Sequence, residues 1–213
     1  MTDAKPRIQF APNGPLIVEG LTKMLGKNGE LPCQDKMALC RCGGSQTKPF
    51  CDGAHAKNGF TSDSAADASS DQVDSFVGKT ITVHDNRSVC AHAGRCTDGL
   101  PKVWRQREEP WIDADGATAQ EIVDVIKTCP SGALSYTLAD GTSSHDSPSP
   151  SSCSVFVAPK GPYAVSGSVD LGEQRRGTGV NKDKLTLCRC GQSKNKPFCD
   201  GTHWNVTFDE SAD

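Results

Sequence analysis

The feature that most constrains this chain is a metal-ligand pattern that occurs twice. Cys40, Cys42, Cys51 and His55 stand in C-R-C-G-G-S-Q-T-K-P-F-C-D-G-A-H, and Cys188, Cys190, Cys199 and His203 recur in C-R-C-G-Q-S-K-N-K-P-F-C-D-G-T-H, 148 positions later. The match extends upstream, where A-P-N-G-P-L-I-V-E-G (Ala11 to Gly20) parallels A-P-K-G-P-Y-A-V-S-G (Ala158 to Gly167) at an offset of 147. Phe60 and Phe208 each follow their histidine by five residues. In both copies Gly-Pro leads into a short apolar alternation, Leu16 and Val18 or Tyr163 and Val165, which predicts a strand entered from a turn. Each copy is thus a β-rich module of about sixty residues, too short to bury a large core alone.

Composition points the same way. With 35% apolar and 6% aromatic residues, 21 Gly and 13 Pro, no segment promises a large core, so something else must hold the modules. Eleven cysteines, an odd number arranged partly as C-x-C, fit metal ligation better than a disulfide framework. There is no basic-then-apolar leader and no run of membrane-spanning length, which predicts a cytoplasmic protein with reduced thiols and no membrane association. A formal net charge of -3 argues against a nucleic-acid partner.

Two Ser/Asp/Ala/Pro-rich stretches, residues 61–75 and 140–153, read as linkers. They divide the chain into modules at 1–60, 76–139 and 154–213. The middle one carries a strand-like K-T-I-T-V-H and a helical pattern in which Thr118 and Glu121 form a capping box and Ile122, Val125 and Ile126 an apolar stripe.

Three thiolates and an imidazole are sufficient to close a metal site, and Cys3His is also an accepted zinc set. Zinc sites, however, usually space their first pair as C-x2–4-C, whereas both copies here use C-x-C. Cys51 and His55 are four apart, so a helical turn capped by Asp52 would place them on one face, and Asp200 repeats this. Gly43, Gly44 and Pro49, with Gly191 and Pro197 in the second copy, allow the loop to fold back. Arg41, Lys48, Arg189, Lys194 and Lys196 flank the sites, either as counter-charges or as solvated surface. C-D-G-A-H and C-D-G-T-H, each preceded by C-R-C-G-x-S-x3-P-F, resemble the CDGSH iron–sulfur (NEET) family. That resemblance implies a 2Fe-2S cluster at each site, the cysteine pair on one iron and the third cysteine plus histidine on the other. Replacing one of four thiolates by imidazole changes the oxidised cluster charge from about −2 to about −1 and raises its potential, as in Rieske centres.

The middle module offers Cys90 and Cys96 in C-A-H-A-G-R-C, and Cys129 in C-P-S-G-A-L. A bacterial ferredoxin run places a cysteine where Ala93 stands. Three thiolates fit a 3Fe-4S cluster, or a 4Fe-4S cluster whose fourth iron takes another ligand; His92 is the candidate. The segment resembles the divergent single-cluster ferredoxin-type domain. Trp104 and Trp111 read as packing residues, Cys33 and Cys153 as free thiols, and His84 and His145 receive no role.

The fold class expected is α+β: two CDGSH modules forming an intramolecular pseudo-dimer with an inserted ferredoxin-like module, monomeric with internal pseudo-twofold pairing. The function expected is that of a multi-cluster electron carrier serving a redox partner protein, without a catalytic site of its own. The alternative is storage or delivery of 2Fe-2S clusters to an apo iron–sulfur acceptor.

Overall fold

Alternating apolar residues after each Gly-Pro turn form strands, and the two copies lay them out alike. The computed structural model describes residues 5–65, 71–146, 150, 152–172, 174 and 177–206. Strands β1 (Arg7–Phe10), β2 (Leu16–Glu19) and β5 (Lys36–Leu39) pair antiparallel in the order β1-β2-β5. Strands β9 (Ser154–Val157), β10 (Tyr163–Ser166) and β11 (Lys184–Leu187) pair antiparallel in the corresponding order, at the 147- and 148-residue offsets of the repeat. The first copy adds a hairpin, β3 (Met24–Gly26) and β4 (Gly29–Leu31), which extends the second copy's sheet because β3 lies parallel to β9. Phe208 lies outside the described residues, as do 66–70, 147–149 and 151 of the expected linkers.

The copies exchange backbone hydrogen bonds reciprocally. The Ile8 amide donates to the Asp170 carbonyl at 2.8 Å, and the Val155 amide donates to the Lys23 carbonyl at 3.1 Å, positions related by the same offset. Leu16, Val18, Met24, Met37 and Leu39 share one buried core with Val155, Tyr163, Val165, Leu185, Leu187 and Phe198. Joining the two inner faces removes apolar surface that either sheet alone would expose to water, at roughly 25 cal/mol per Å². Cys153 is buried in this core and Cys33 packs against it.

The middle module has its own core and sheet: β6 (Asp74–Val77), β7 (Ile81–Asp85) and β8 (Leu134–Leu138), antiparallel in that order. Two helices pack there, α1 (Arg95–Gly99) and α2 (Ala119–Ile126). The capping box on α2 is present: the Glu121 amide donates to Thr118 Oγ1 and the Thr118 amide to Glu121 Oε2. Ile122 and Ile126 face the core as expected, but Val123 is the third buried residue and Val125 only partly buried. Trp104 is fully buried and Trp111 packs edge-on against Phe76. His84 sits on the sheet between Ser75 and Thr137 hydroxyls. Among the described residues no helix is long and apolar enough to cross a membrane.

The middle module lies against the second copy. Val180 joins its core, Ser135 Oγ donates to the Gly179 carbonyl, and the Asn181 amide donates to the Gly132 carbonyl. Asp71, within an expected linker, accepts from the Thr178 amide and hydroxyl and from Asn86 Nδ2. Satisfying these polar groups across the seam fixes the docking, which composition alone does not reveal.

One link between the copies has no symmetric partner. The Tyr163 hydroxyl, fully buried, lies 2.6 Å from the Cys40 carbonyl, to which it donates, and 3.0 Å from that of Pro49; the first copy has Leu16 at this position. Tyr163→Phe should cost about 1–2 kcal/mol in denaturant unfolding. It should also speed metal loss from the first motif rather than from the second, where the residue itself resides, as read by stopped-flow chelation.

Candidate metal centres

Each repeated ligand set is built at the end of a strand. Cys40 follows β5, and the loop is pinned back on it because the Cys40 amide donates to Pro49 O and the Cys51 amide to Ala38 O, both at 2.8 Å. Cys188 and Cys199 repeat this with Pro197 O and Thr186 O, at 2.8 and 2.9 Å. Ser45 and Ser193 hydroxyls close the loops onto Phe50 and Phe198 carbonyls, each at 2.6 Å. Each histidine lies in a 3-10 turn, Ala54–Ala56 or Thr202–Asn205, rather than an α-turn that includes the cysteine. The expected Asp caps differ too: Gly53 and Gly201 are the N-caps. Asp52 instead joins loop to turn, accepting from Gln46 and Ala54 amides, which hold its carboxyl below the usual carboxylate range; Asp200 does the same with Lys194 and Thr202.

The donors come as two pairs. Cys40 and Cys42 sulfurs are 3.7 Å apart and those of Cys188 and Cys190 3.9 Å. Cys51 Sγ lies 3.4 Å from His55 Nδ1, and Cys199 Sγ 3.3 Å from His203 Nδ1. Bonds of about 2.3 Å from a tetrahedral ion to sulfur place two sulfurs roughly 3.8 Å apart, so each pair has the bite for one metal. Two such pairs in each motif suit a binuclear group, one ion to each pair. Backbone amides of Gly44, Gly53 and Gly201 point at the sulfurs of Cys42, Cys51 and Cys199, at 3.4, 3.4 and 3.5 Å, and favour thiolates there.

Hydrogen bonding between paired thiols keeps Cys42 and Cys190 below the usual thiol range and pushes Cys40 and Cys188 above it. Burial pushes Cys199 up to about 12. A metal must therefore displace protons to enter. The flanking cations are mostly internal. Arg41 and Arg189 are 3% and 1% exposed; each donates to carbonyls of its own A-P-x-G-P turn, Arg41 to Ala11 and Gly14, Arg189 to Ala158 and Gly161. Arg41 also acts electrostatically on Cys188, the other copy's ligand. Lys48 is buried, bonded to the Ser45 carbonyl, whereas Lys194 is exposed and Lys196 partly so.

The two loops meet back to back. Gly43 and Gly191 have φ of +77° and +79°, and a Cβ on either would lie 2.7 Å from the carbonyl oxygen of Cys190 or Cys42 respectively. Only glycine permits both that φ and that approach.

In the middle module Cys90, Cys96 and Cys129 line one cavity of about 270 Å³ with Arg87, His92 and Trp111. Cys90 follows a 3-10 turn, Cys96 sits in the first turn of α1, and Cys129 follows α2. Three thiols arranged around a volume, not a point, suit a cuboidal cluster. Burial pushes Cys96 up to about 11 and raises Cys90 as well. Among the described residues no fourth cysteine lines the cavity. His92, with φ of +52°, donates its amide toward Cys90 Sγ at 3.4 Å while its ring lies against Gly201 of the second motif.

The sites differ in cover. Cys199 and His203 are 3% and 8% exposed, but Cys51 and His55 are half-buried. Trp204 makes part of the difference: its ring lies against His203, 5.1 Å between centroids and tilted by 36°, and its indole N–H donates to the His92 carbonyl at 3.0 Å. The sequence signal for it was present in C-D-G-T-H-W against C-D-G-A-H-A, a departure between copies inside a repeat.

The family model described as "Iron-binding zinc finger CDGSH type" matches residues 13–56 and 160–204, and that described as "Divergent 4Fe-4S mono-cluster" matches residues 76–139. Two curated relatives, both "Uncharacterized protein YjdI", from Escherichia coli strain K12 and Escherichia coli O157:H7, are each 41% identical over 61 residues. That stretch is 29% of this chain and 80% of each relative. No solved structure matches the chain. Paired donors predict that the purified protein is coloured and contains iron with acid-labile sulfide; a colourless protein holding one zinc ion in each motif would overturn the binuclear assignment.

Proposed function

Because the chain belongs to the CDGSH-type iron–sulfur family, its two CDGSH domains flanking a divergent 4Fe-4S mono-cluster domain, we propose that it is a multi-cluster electron carrier. The observation that carries this reading is that the three donor sets adjoin within one body. The Cys42–Gly43 and Cys190–Gly191 backbones touch, and Trp204 beside His203 bonds the loop that holds Cys90. Two 2Fe-2S clusters, one on Cys40, Cys42, Cys51 and His55 and one on Cys188, Cys190, Cys199 and His203, with a 3Fe-4S or 4Fe-4S cluster on Cys90, Cys96 and Cys129, would supply one-electron redox capacity. The protein's residues contribute the rest. Backbone amides favour the thiolates, Arg41 places positive charge near Cys188, and burial keeps water from the second site. The two copies act as an intramolecular pseudo-dimer, because the reciprocal Ile8–Asp170 and Val155–Lys23 bonds fill the places that a second chain would otherwise occupy. A monomer serving a soluble one-electron donor and acceptor protein follows, with no catalytic chemistry of its own.

A second reading is favoured by one observation: the half-exposed Cys51 and His55 leave the first site open for release of its 2Fe-2S cluster to an apo-acceptor. Rapid-mixing measurements separate the two. Reduction and reoxidation with iron content unchanged, faster than cluster movement to an apo-ferredoxin, supports the carrier; the reverse order of rates replaces it with delivery.

Acid should discriminate between the motifs. Protonation of the imidazole competes with metal, so loss accelerates as pH falls. Burial holds His203 below the ordinary imidazole range, so proton capture there needs a lower pH than a solvated ring would. Visible absorbance should thus decay in two phases below about pH 6, the first motif before the second. His55→Cys should abolish the early phase and lower that site's potential; an unchanged early phase would remove His55 from the ligand set.

A further inference from the structure

The two CDGSH motifs carry the same ligands but meet different neighbours, and the difference is concentrated at one seam. Gly53 and Gly201 occupy equivalent places with φ of +87° and +83°. A Cβ on Gly53 would meet nothing within 4 Å, whereas one on Gly201 would lie 2.5 Å from His92 Cδ2. The space above the second motif is therefore filled by the His92 ring, and the corresponding space above the first is open. Three positions further on, Trp204 stands where the first copy has Ala56. Its two specific contacts go to the ring of His203 and to the carbonyl of His92, yet 66% of it remains exposed. Core packing does not explain a tryptophan in that state, because most of its apolar surface stays in water. Asn195, where the first copy has Thr47, reaches across the same seam and donates to the Ser88 carbonyl at 2.6 Å, two residues before Cys90.

Resting on the electron-carrier reading, we infer that His92 and Trp204 form the bridge that couples the middle donor set to the second CDGSH site and leaves the first site out of direct exchange with the middle one. From Cys90 the route is two peptide units and His92 Cα to the His92 carbonyl, one hydrogen bond to the Trp204 indole, and the tilted contact of the Trp204 ring with His203. Only the hydrogen bond and the ring contact are through space. Among the described residues no hydrogen bond joins the Cys90–Cys96 loop to the first motif. The exchange is a single electron: the middle site is oxidised by one and the second site reduced by one, no bond forms or breaks, and no proton is required. A reduced flavoprotein or ferredoxin-class protein supplies the electron. Trp204 acts as a positioning residue, since it touches His203 and sets the distance to His92.

The test uses the full holoprotein and two readouts. In dithionite-reduced samples, paramagnetic resonance should show spin–spin broadening of the middle signal that disappears in Cys199→Ser and survives in Cys51→Ser. In pulse radiolysis, Trp204→Ala should slow exchange between the middle and second sites about tenfold, equivalent to about 1.4 kcal/mol of barrier. Trp204→Phe, which keeps the ring contact and loses the indole N–H, should fall between that variant and wild type. Gly201→Ala should slow exchange as Trp204→Ala does, by pushing on the His92 ring, while Gly59→Ala, strained by a φ of +72° but outside both motifs and in open space, should leave this rate unchanged. Wild-type rates in both Trp204→Ala and Gly201→Ala, with iron content intact, would overturn the bridge, as would broadening that vanishes in Cys51→Ser instead of Cys199→Ser. The broadening is a static property. Broadening without reversible turnover would therefore sink the carrier reading alone, whereas turnover that ignores Trp204 would sink the bridge alone.

Discussion

Reciprocal pairing between the two copies is the constraint on which the remainder of the structure rests. A three-stranded sheet of short strands exposes one apolar face and an unpaired edge, and neither defect can be repaired within about sixty residues. Here each copy repairs the other. The segment after β2 gives a carbonyl to the first strand of the second copy, and its counterpart after β10 gives one to β1. The inner faces then close on a common core of Leu16, Val18, Tyr163 and Val165 with their neighbours. Once the sheets are joined in this way, the ends of β5 and β11 are brought side by side, and the Cys42–Gly43 and Cys190–Gly191 turns must touch. The placement of the two metal motifs is thus a consequence of how the strands are completed.

Much of this was legible in the sequence because it is local or repeated. The pairing of the eight candidate donors in the outer motifs, the strands after Gly-Pro and the Thr118–Glu121 capping box all follow from spacing, and spacing survives folding. The β3–β4 hairpin and its pairing to β9 were not legible, since M-L-G-K-N-G-E-L has little apolar alternation and finds its partner about 130 residues away. Nor was the docking of the middle module. The groups that fix it, Asn86, Asp71, Ser135 and Asn195, are polar residues in turns or on a sheet edge, where sequence offers no periodicity and each reads as solvated. The buried guanidinium groups of Arg41 and Arg189 belong to the same class, for a charge next to an expected metal site reads equally well as counter-ion or surface until its carbonyl partners are known.

Duplication supplies identical ligands, and divergence around them supplies different sites. On the electron-carrier reading, this has a direction. Reduction makes each CDGSH cluster more negative by one unit, and a low-dielectric surrounding opposes that change more than water does. The second site is covered by His92 and Trp204, and it also has Lys194 where the first has Gln46 and Arg41 close enough to act on Cys188. Where desolvation outweighs those charges, the second site would be harder to reduce than the half-exposed first. An electron arriving across the seam from the middle module would move downhill toward the first site, through the touching Cys190–Gly191 and Cys42–Gly43 backbones, and leave at the side where Cys51 and His55 face solvent. On that reading the covered copy would serve the interior of the chain and the open copy a partner protein.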